Sequence, residues 1–301
     1  MTWLDRQSFL GRDSDDVLAA TRVGIVGLGG GGSHVVQQLA HIGIGDFVIV
    51  DDDVISDSNL NRLVGATLDD VRAERLKVEI ASRVIAGVNP DARIEALSER
   101  WQAVADRLRD CDAIFGCVDN VRGKDELEAF CRRLLIPYID QGMDVHEAGR
   151  GFLISGQVVL SLPGQPCLRC YGVVDEAVLN EEARNYGAAG GKPQVVWPNG
   201  VLASTAVGLL IQLITPWHDA PIDGTCLEYD GNRHTMIPSD RSEYLRHRAC
   251  THYDAADLGD PSFDIRKLPS DREAAQDSSG EKQPARWWQA LVRHLTRKGT
   301  S

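Results

Sequence analysis

The residues whose types and spacing could do chemistry fall into two sets. Gly27, Gly29 and Gly32 form a GxGxxG run directly after an apolar, β-branched stretch, and Gly30 and Gly31 complete a turn without side chains. Such a turn lets backbone N–H groups at a helix start approach phosphate oxygens. Asp51 ends the next apolar run, with Asp53 two residues on, where a carboxylate can accept hydrogen bonds from ribose hydroxyls. These residues serve NAD and ATP equally well, and a glycine turn without a ligand is the bland alternative. Asn59, Arg62, Lys77 and Asp119 follow. An amide, two cations and a carboxylate are the groups a triphosphate and Mg²⁺ call for, and an NAD-dependent oxidoreductase leaves them without a task.

The second set is cysteine-based. Cys167 and Cys170 make a CxxC after a strand, and His247, Cys250 and His252 lie close together further on. Two thiolates at that spacing can grip one tetrahedral zinc, which needs further ligands. Cys250 and His252 are the first choice and His247 the alternative. A metal-free remnant or a redox pair competes with zinc.

These groups need elements to hold them. Apolar runs at 22–28, 47–51, 92–97, 112–118 and 137–140 read as strands, and helical spacing at 33–42, 76–86 and 124–134 alternates with them. The pattern predicts an α/β, Rossmann-like, mostly parallel sheet with helices on both faces. Residues 151–162 alternate as antiparallel strands do, so the second half extends the sheet with antiparallel strands. Residues 175–192 read as a long mobile loop, and 201–214 as an apolar helix of the core or of a subunit interface. The expected domains are a main α/β domain at 1–253 with a zinc site, a flexible linker at 254–284, and an amphipathic helix at 285–301 built on Trp288, Leu291, Val292 and Leu295.

The formal net charge of −12 opposes general nucleic-acid binding and requires any ATP site to concentrate cations locally. No apolar run of about 18 residues is visible, and the seven cysteines are an odd number. A cytoplasmic protein, neither membrane-bound nor disulfide-framed, is the expectation.

Read in order, the segments Asp51-Asp52-Asp53, Ser58-Asn59-Leu60-Asn61-Arg62, Glu74-Arg75-Leu76-Lys77, Asn89-Pro90 and Cys117-Val118-Asp119-Asn120 resemble the ThiF/MoeB/HesA family, bacterial relatives of ubiquitin-activating enzymes. The resemblance runs from about residue 5 to residue 250. It implies an adenylyltransferase that activates the C-terminal carboxylate of a ubiquitin-like or sulfur-carrier protein ending in Gly-Gly, or of a peptide. Asn59 and Arg62 would then hold the outer phosphates, Lys77 the α-phosphate region, Asp51 the ribose and Asp119 the Mg²⁺. Val118 stands where the family has Thr, Leu63 where it has Gln, and the gap before Lys77 is long enough to make Arg75 a substitute.

Asp5-Arg6-Gln7 resembles the family's RQ dipeptide, which would make Arg6 an arginine finger across a homodimer; an ordinary surface arginine is the alternative. The segment 193–199, where many relatives carry a nucleophilic cysteine, has none, so adenylation without transthiolation is expected. Cys226, Cys111, Cys117 and Cys131 read as packed residues. A ubiquitin-like substrate is favoured, because the Trp287-Trp288 segment could recruit a downstream conjugating enzyme. An inactive scaffold subunit is the non-catalytic alternative.

Overall fold

The computed structural model describes residues 3–184, 193–220, 222–253 and 258–259. The expected helix at 285–301 and nearly all of the expected linker at 254–284 lie outside them. In chain order the elements are a 3-10 turn at Asp5–Leu10, α1 (Ser14–Ala20), β1 (Arg22–Val26), α2 (Gly30–His41), β2 (Asp46–Val50), a 3-10 turn at Asp57–Asn59, α3 (Leu68–Arg72), α4 (Lys77–Val88), β3 (Arg93–Leu97), α5 (Ala105–Leu108), β4 (Ala113–Gly116), α6 (Val121–Arg133), β5 (Tyr138–Ala148), β6 (Gly151–Ser161), α7 (Leu168–Tyr171), α8 (Glu176–Arg184), α9 (Val196–Ile214), β7 (Thr225–Asp230), β8 (Thr235–Pro238) and α10 (Asp240–Leu245).

One eight-stranded sheet runs in the order β3-β2-β1-β4-β5-β6-β7-β8. Strands β1 to β5 pair in parallel, and β6, β7 and β8 continue it antiparallel. The apolar runs of β1 and β2 are continuous because both faces are covered. Val23, Ile25, Phe47 and Ile49 join the cluster under α2, α4 and α9, while Val26, Val48 and Val50 face the cluster under α5 and α6. Full burial of each such side chain contributes about 2 kcal/mol.

The connections decide where a site can form. The chain leaves β1 into α2 on one face and leaves β4 into α6 on the other. A crevice therefore opens beyond the carboxyl ends of β1 and β4, the usual ligand position in such sheets.

Several boundaries differ from expectation, among them that of α9, which starts at Val196 rather than residue 201. Helix α2 starts at Gly30 rather than residue 33, because the glycines themselves form its first turn. Strand β5 runs to Ala148 rather than 140, paired with β6 from Tyr138↔Ser161 to Ala148↔Gly151. Part of the expected loop at 175–192 is the helix Glu176–Arg184, and residues 185–192 lie outside the described set. Helix α9 is long and apolar enough to cross a membrane, but 61% of its apolar window is buried inside the fold, so it acts as a core helix here.

Candidate functional site

Gly27 adopts φ +90, and a Cβ there would stand 2.6 Å from the Cys117 carbonyl oxygen. At Gly32 a Cβ would stand 1.9 Å from the Gly27 carbonyl oxygen. Both contacts are with backbone, so only glycine permits the turn and the close approach of β4. Gly29 begins the turn as the N-cap of α2.

Asp51 knits this turn to β2. Its carboxylate accepts from Leu28 N at 2.6 Å and from Asp53 N at 2.9 Å. Burial pushes the Asp51 carboxyl up, against the opposing charge of Lys77. An isolated bridge between Val54 and Leu76 brings the start of α4 beside this strand end. Lys77 Nζ consequently lies 2.5 Å from an Asp53 oxygen and 3.5 Å from an Asp51 oxygen. Arg75, the alternative to Lys77, is paired instead with Asp70 at 2.9 Å and Glu79 at 3.9 Å.

Arg62 arrives by a different route. Asn59 Oδ1 accepts from Ser56 N and Ser56 Oγ, which closes the 3-10 turn, and Val64 N donates to Ser33 Oγ at 3.0 Å. That bond pins the segment to α2. The Arg62 stem then passes within 3.2 Å of where a Gly30 Cβ would be, while its guanidinium donates to Ser58 O at 2.6 Å and Asn61 Oδ1 at 2.9 Å. Beside it lies a pocket of about 340 Å³ lined by Ser58, Asn61, Arg62, Val145, Ile154 and Trp197 among others. Asn61 Nδ2 donates to Gln194 O at 2.8 Å and so ties the segment before α9 across that pocket.

Asp119 is exposed beyond β4, directly before Asn120, whose side chain caps α6 by accepting from Gly123 N at 2.6 Å. Gly27, Asp51 and Asp119 lie at or just past the carboxyl ends of β1, β2 and β4, with Gly29, Gly30, Asp53 and Lys77 near them. Asn59 is engaged in its own turn, and of these residues Arg62 alone lines the pocket. Arg6 is remote from all of them. Its 3-10 turn docks at the far end of α2, where Gln7 Nε2 donates to Ile42 O at 3.0 Å, and a 12-residue helix spans roughly 18 Å.

Several residues near the crevice escaped sequence reading. Lys124 Nζ donates to both Asp140 oxygens at 2.7 and 2.8 Å and to Gln141 O at 2.9 Å. Burial raises the Asp140 carboxyl, with Lys124 opposing. Gln141 Nε2 reaches Cys117 Sγ at 3.1 Å and lies 2.7 Å from where a Gly31 Cβ would be, while Asn199 Nδ2 lies 2.6 Å from that point on Gly30. An acid ending an apolar strand and a lysine in the first turn of the preceding helix were the available signal, since a buried carboxylate requires a cation.

The second set also converges. Cys167 Sγ and Cys170 Sγ are 3.6 Å apart, Cys170 Sγ and Cys250 Sγ 3.8 Å, and His252 Nδ1 is 3.5 and 3.3 Å from Cys167 and Cys170. All four ligand atoms lie within 4.8 Å of one another. A zinc–sulfur bond of about 2.3 Å implies tetrahedral edges of roughly 3.8 Å, so the residues fit such an ion. His247 is outside the group. The hydrogen bond with Cys167 pulls the Cys250 thiol down toward thiolate, the form a metal takes. Elsewhere burial pushes Cys111, Cys117 and Cys226 up to about 12.

A mostly parallel sheet with a glycine turn, a carboxylate and cations at its switch point defines a Rossmann-like α/β protein. This chain belongs to the ThiF family, whose model matches residues 4–251. It is 31% identical over 238 residues to the SAMP-activating enzyme E1 of Haloferax volcanii, covering 76% of this chain and 82% of that one. It is 32% identical over 209 residues to the sulfur carrier protein ThiS adenylyltransferase of Escherichia coli, covering 68% and 78%. Identity to the molybdopterin-synthase adenylyltransferase of Escherichia coli is 28% over 223 residues, covering 72% and 82%. The fold is shared with Escherichia coli MccB solved with ATP, at TM-score 0.62 and 21% identity over 78% of this chain and 69% of that one. PaaA shares it too, at TM-score 0.63 and 19% identity over 79% and 81%.

Proposed function

We propose that this protein uses ATP to adenylate the C-terminal carboxylate of a ubiquitin-like or sulfur-carrier protein ending in Gly-Gly. The observation that carries the reading is Arg62 lying against Gly30 at the start of α2, with a pocket beside it. Relatives that carry adenylyltransferase in their names support it.

In the reaction a substrate carboxylate oxygen bonds to the α-phosphorus of ATP, the bond from that phosphorus to the bridging oxygen breaks, and pyrophosphate leaves. Charge moves onto the departing phosphates, so the protein's task is to position and to neutralise. The N–H groups of Gly29 and Gly30 approach the phosphates, Asn59 and Arg62 bind the outer ones, and Lys77 reaches inward from its place beside Asp51 and Asp53. Asp51 receives the ribose hydroxyls. Asp119 would hold Mg²⁺, which neutralises the leaving group when bound.

Arg6 serves the crevice of a second subunit, which makes the working form a homodimer. Cys167, Cys170, Cys250 and His252 hold a structural zinc. The reduced, ungrouped thiols elsewhere suit the cytoplasm. Residues 1–253 form the adenylation domain, and the segment 285–301, outside the described residues, recruits a downstream conjugating enzyme.

The test is intact mass measurement after incubation with ATP, Mg²⁺ and a panel of carriers ending in Gly-Gly. A carrier heavier by one adenylate, with the enzyme mass unchanged, is the expected result. A panel left unmodified, or an enzyme carrying the carrier covalently, contradicts it.

A further inference from the structure

Beyond Lys124, helix α6 carries charges that adenylation does not use. Asp125, Glu128 and Arg132 lie at helical spacings that share one side, and all three reach toward the Cys/His group. Asp125 binds Arg169, inside the CxxC, through two bonds of 2.8 Å. Glu128 is fully buried. It accepts from Leu168 N, directly after Cys167, at 3.0 and 3.2 Å, from Ser161 Oγ at 2.5 Å, and from Tyr253 OH, directly after His252, at 3.2 Å. Arg132 is 1% exposed and lies 5.0 Å from the centre of the Tyr253 ring. It donates through Nη2 to Ser161 Oγ and Gln165 O, both at 2.8 Å, and its Nη1 is buried without a partner.

We infer that Glu128 is the positioning residue of the metal centre: its carboxylate clasps the two ligand-bearing segments, CxxC and Cys250–His252, to one helix, with Arg132 beside it as counter-charge to the thiolates. The two halves of the centre are 80 residues apart in sequence between Cys170 and Cys250. Among the described residues the backbone link between them is one long bond, from Cys250 N to Gly164 O at 3.4 Å. One carboxylate that accepts from the residue after the first ligand and from the residue after the last sets their separation. Three thiolates and one imidazole leave a zinc centre with a net negative charge, and a buried arginine one helical turn from Glu128 offsets it. Outer partners of this kind set ligand orientation and commonly change metal affinity by about 10- to 100-fold.

The inference rests on the zinc reading, and the experiment separates the two. The full-length protein is loaded with Co²⁺ and then with Zn²⁺. Thiolate-to-cobalt absorption measures the centre, and zinc release to a chromogenic chelator measures its grip. In Tyr253→Phe the ring over Arg132 remains and only the hydroxyl to Glu128 is lost; in Glu128→Gln one acceptor oxygen is lost.

Both variants are expected to keep the thiolate absorption and the melting temperature of the metal-free protein while releasing zinc about tenfold faster or more. Zinc release at the wild-type rate from both overturns the clasp while leaving the zinc site standing. Failure of the wild-type protein to show thiolate absorption with Co²⁺ overturns the zinc site and the clasp with it. Faster release that only mirrors a lowered metal-free melting temperature assigns Glu128 to general packing and also overturns the clasp.

Discussion

Lys77 Nζ sits 2.5 Å from Asp53 and 3.5 Å from Asp51, so the cation assigned to the phosphates rests on the acid assigned to the ribose. This pairing gives the buried lysine its polar partners and fixes it at the start of α4. Lys77→Met keeps the stem and removes the charge. Pyrophosphate exchange should fall about 100-fold or more in kcat. An unchanged kcat with a lower melting temperature would reduce Lys77 to a partner for Asp51.

The glycines separate folding from chemistry. Gly32→Ala drives a Cβ into the Gly27 carbonyl, and backbone cannot swing aside. A loss of about 2–3 kcal/mol or more is expected in denaturant unfolding. Gly30→Ala meets the Asn199 amide and the Arg62 stem instead. Those side chains can move, so the variant should fold near normally and lose exchange activity as Arg62 is displaced. Equal destabilisation by both substitutions would contradict this division.

Asp70 is 2% exposed and pairs with Arg83 through two bonds of 2.7 Å. The Arg83 hydrogen bonds hold its carboxyl well below the usual carboxylate range, against burial, with the Thr67 hydroxyl and N–H adding to the effect. A depressed folded-state value means that the stabilisation is complete above the unfolded pKa of about 3.9 and disappears as pH falls through the lower folded value. Asp70→Asn should therefore cost about 2 kcal/mol near neutrality, and the gap to wild type should close in acid. A gap independent of pH would point to packing rather than ionisation.

Arg6 lies at the opposite end of α2 from the glycine turn, so the arginine finger proposed for it would act in a second subunit. Arg6→Ala and Asp119→Ala should each be inactive alone, and mixing the two should restore part of the exchange activity. Mixed dimers then hold one crevice with Asp119 intact and a partner donating Arg6. Absence of any restoration, with mixed dimers demonstrated, contradicts a role across the interface.

Much of the crevice was legible in the sequence because its residues occur singly, at the ends of short apolar strands. Gly27 and Asp51 each follow one strand directly and Asp119 comes three residues after β4, and a parallel sheet brings those strand ends together. Lys124, Asp140, Gln141 and Asn199 were not legible. Their partners are set by how α6 and α9 pack on the sheet, and the acid within the apolar run 137–140 signals only that some cation must meet it. The Cys/His group was legible as a set. Glu128 was hidden, because an acid in an amphipathic helix reads as solvated until the neighbouring segments fold over it. The start of α9 and the length of β5 were misjudged for a related reason. Helix α9 extends back to Val196 because Pro198 falls in its first turn, where its missing N–H costs nothing, and β5 is prolonged only by pairing with β6.

The central claim is that Arg62, Lys77 and Asp119 act on one triphosphate while a carboxylate attacks it. Radiolabelled pyrophosphate exchange into ATP, measured with a Gly-Gly carrier and with the same carrier lacking its terminal glycine, tests it most directly. The account predicts exchange that requires the terminal carboxylate and Mg²⁺ and vanishes in Asp119→Ala with the fold preserved. Exchange that survives in Asp119→Ala, or a crevice that retains NAD and leaves ATP unbound, contradicts it.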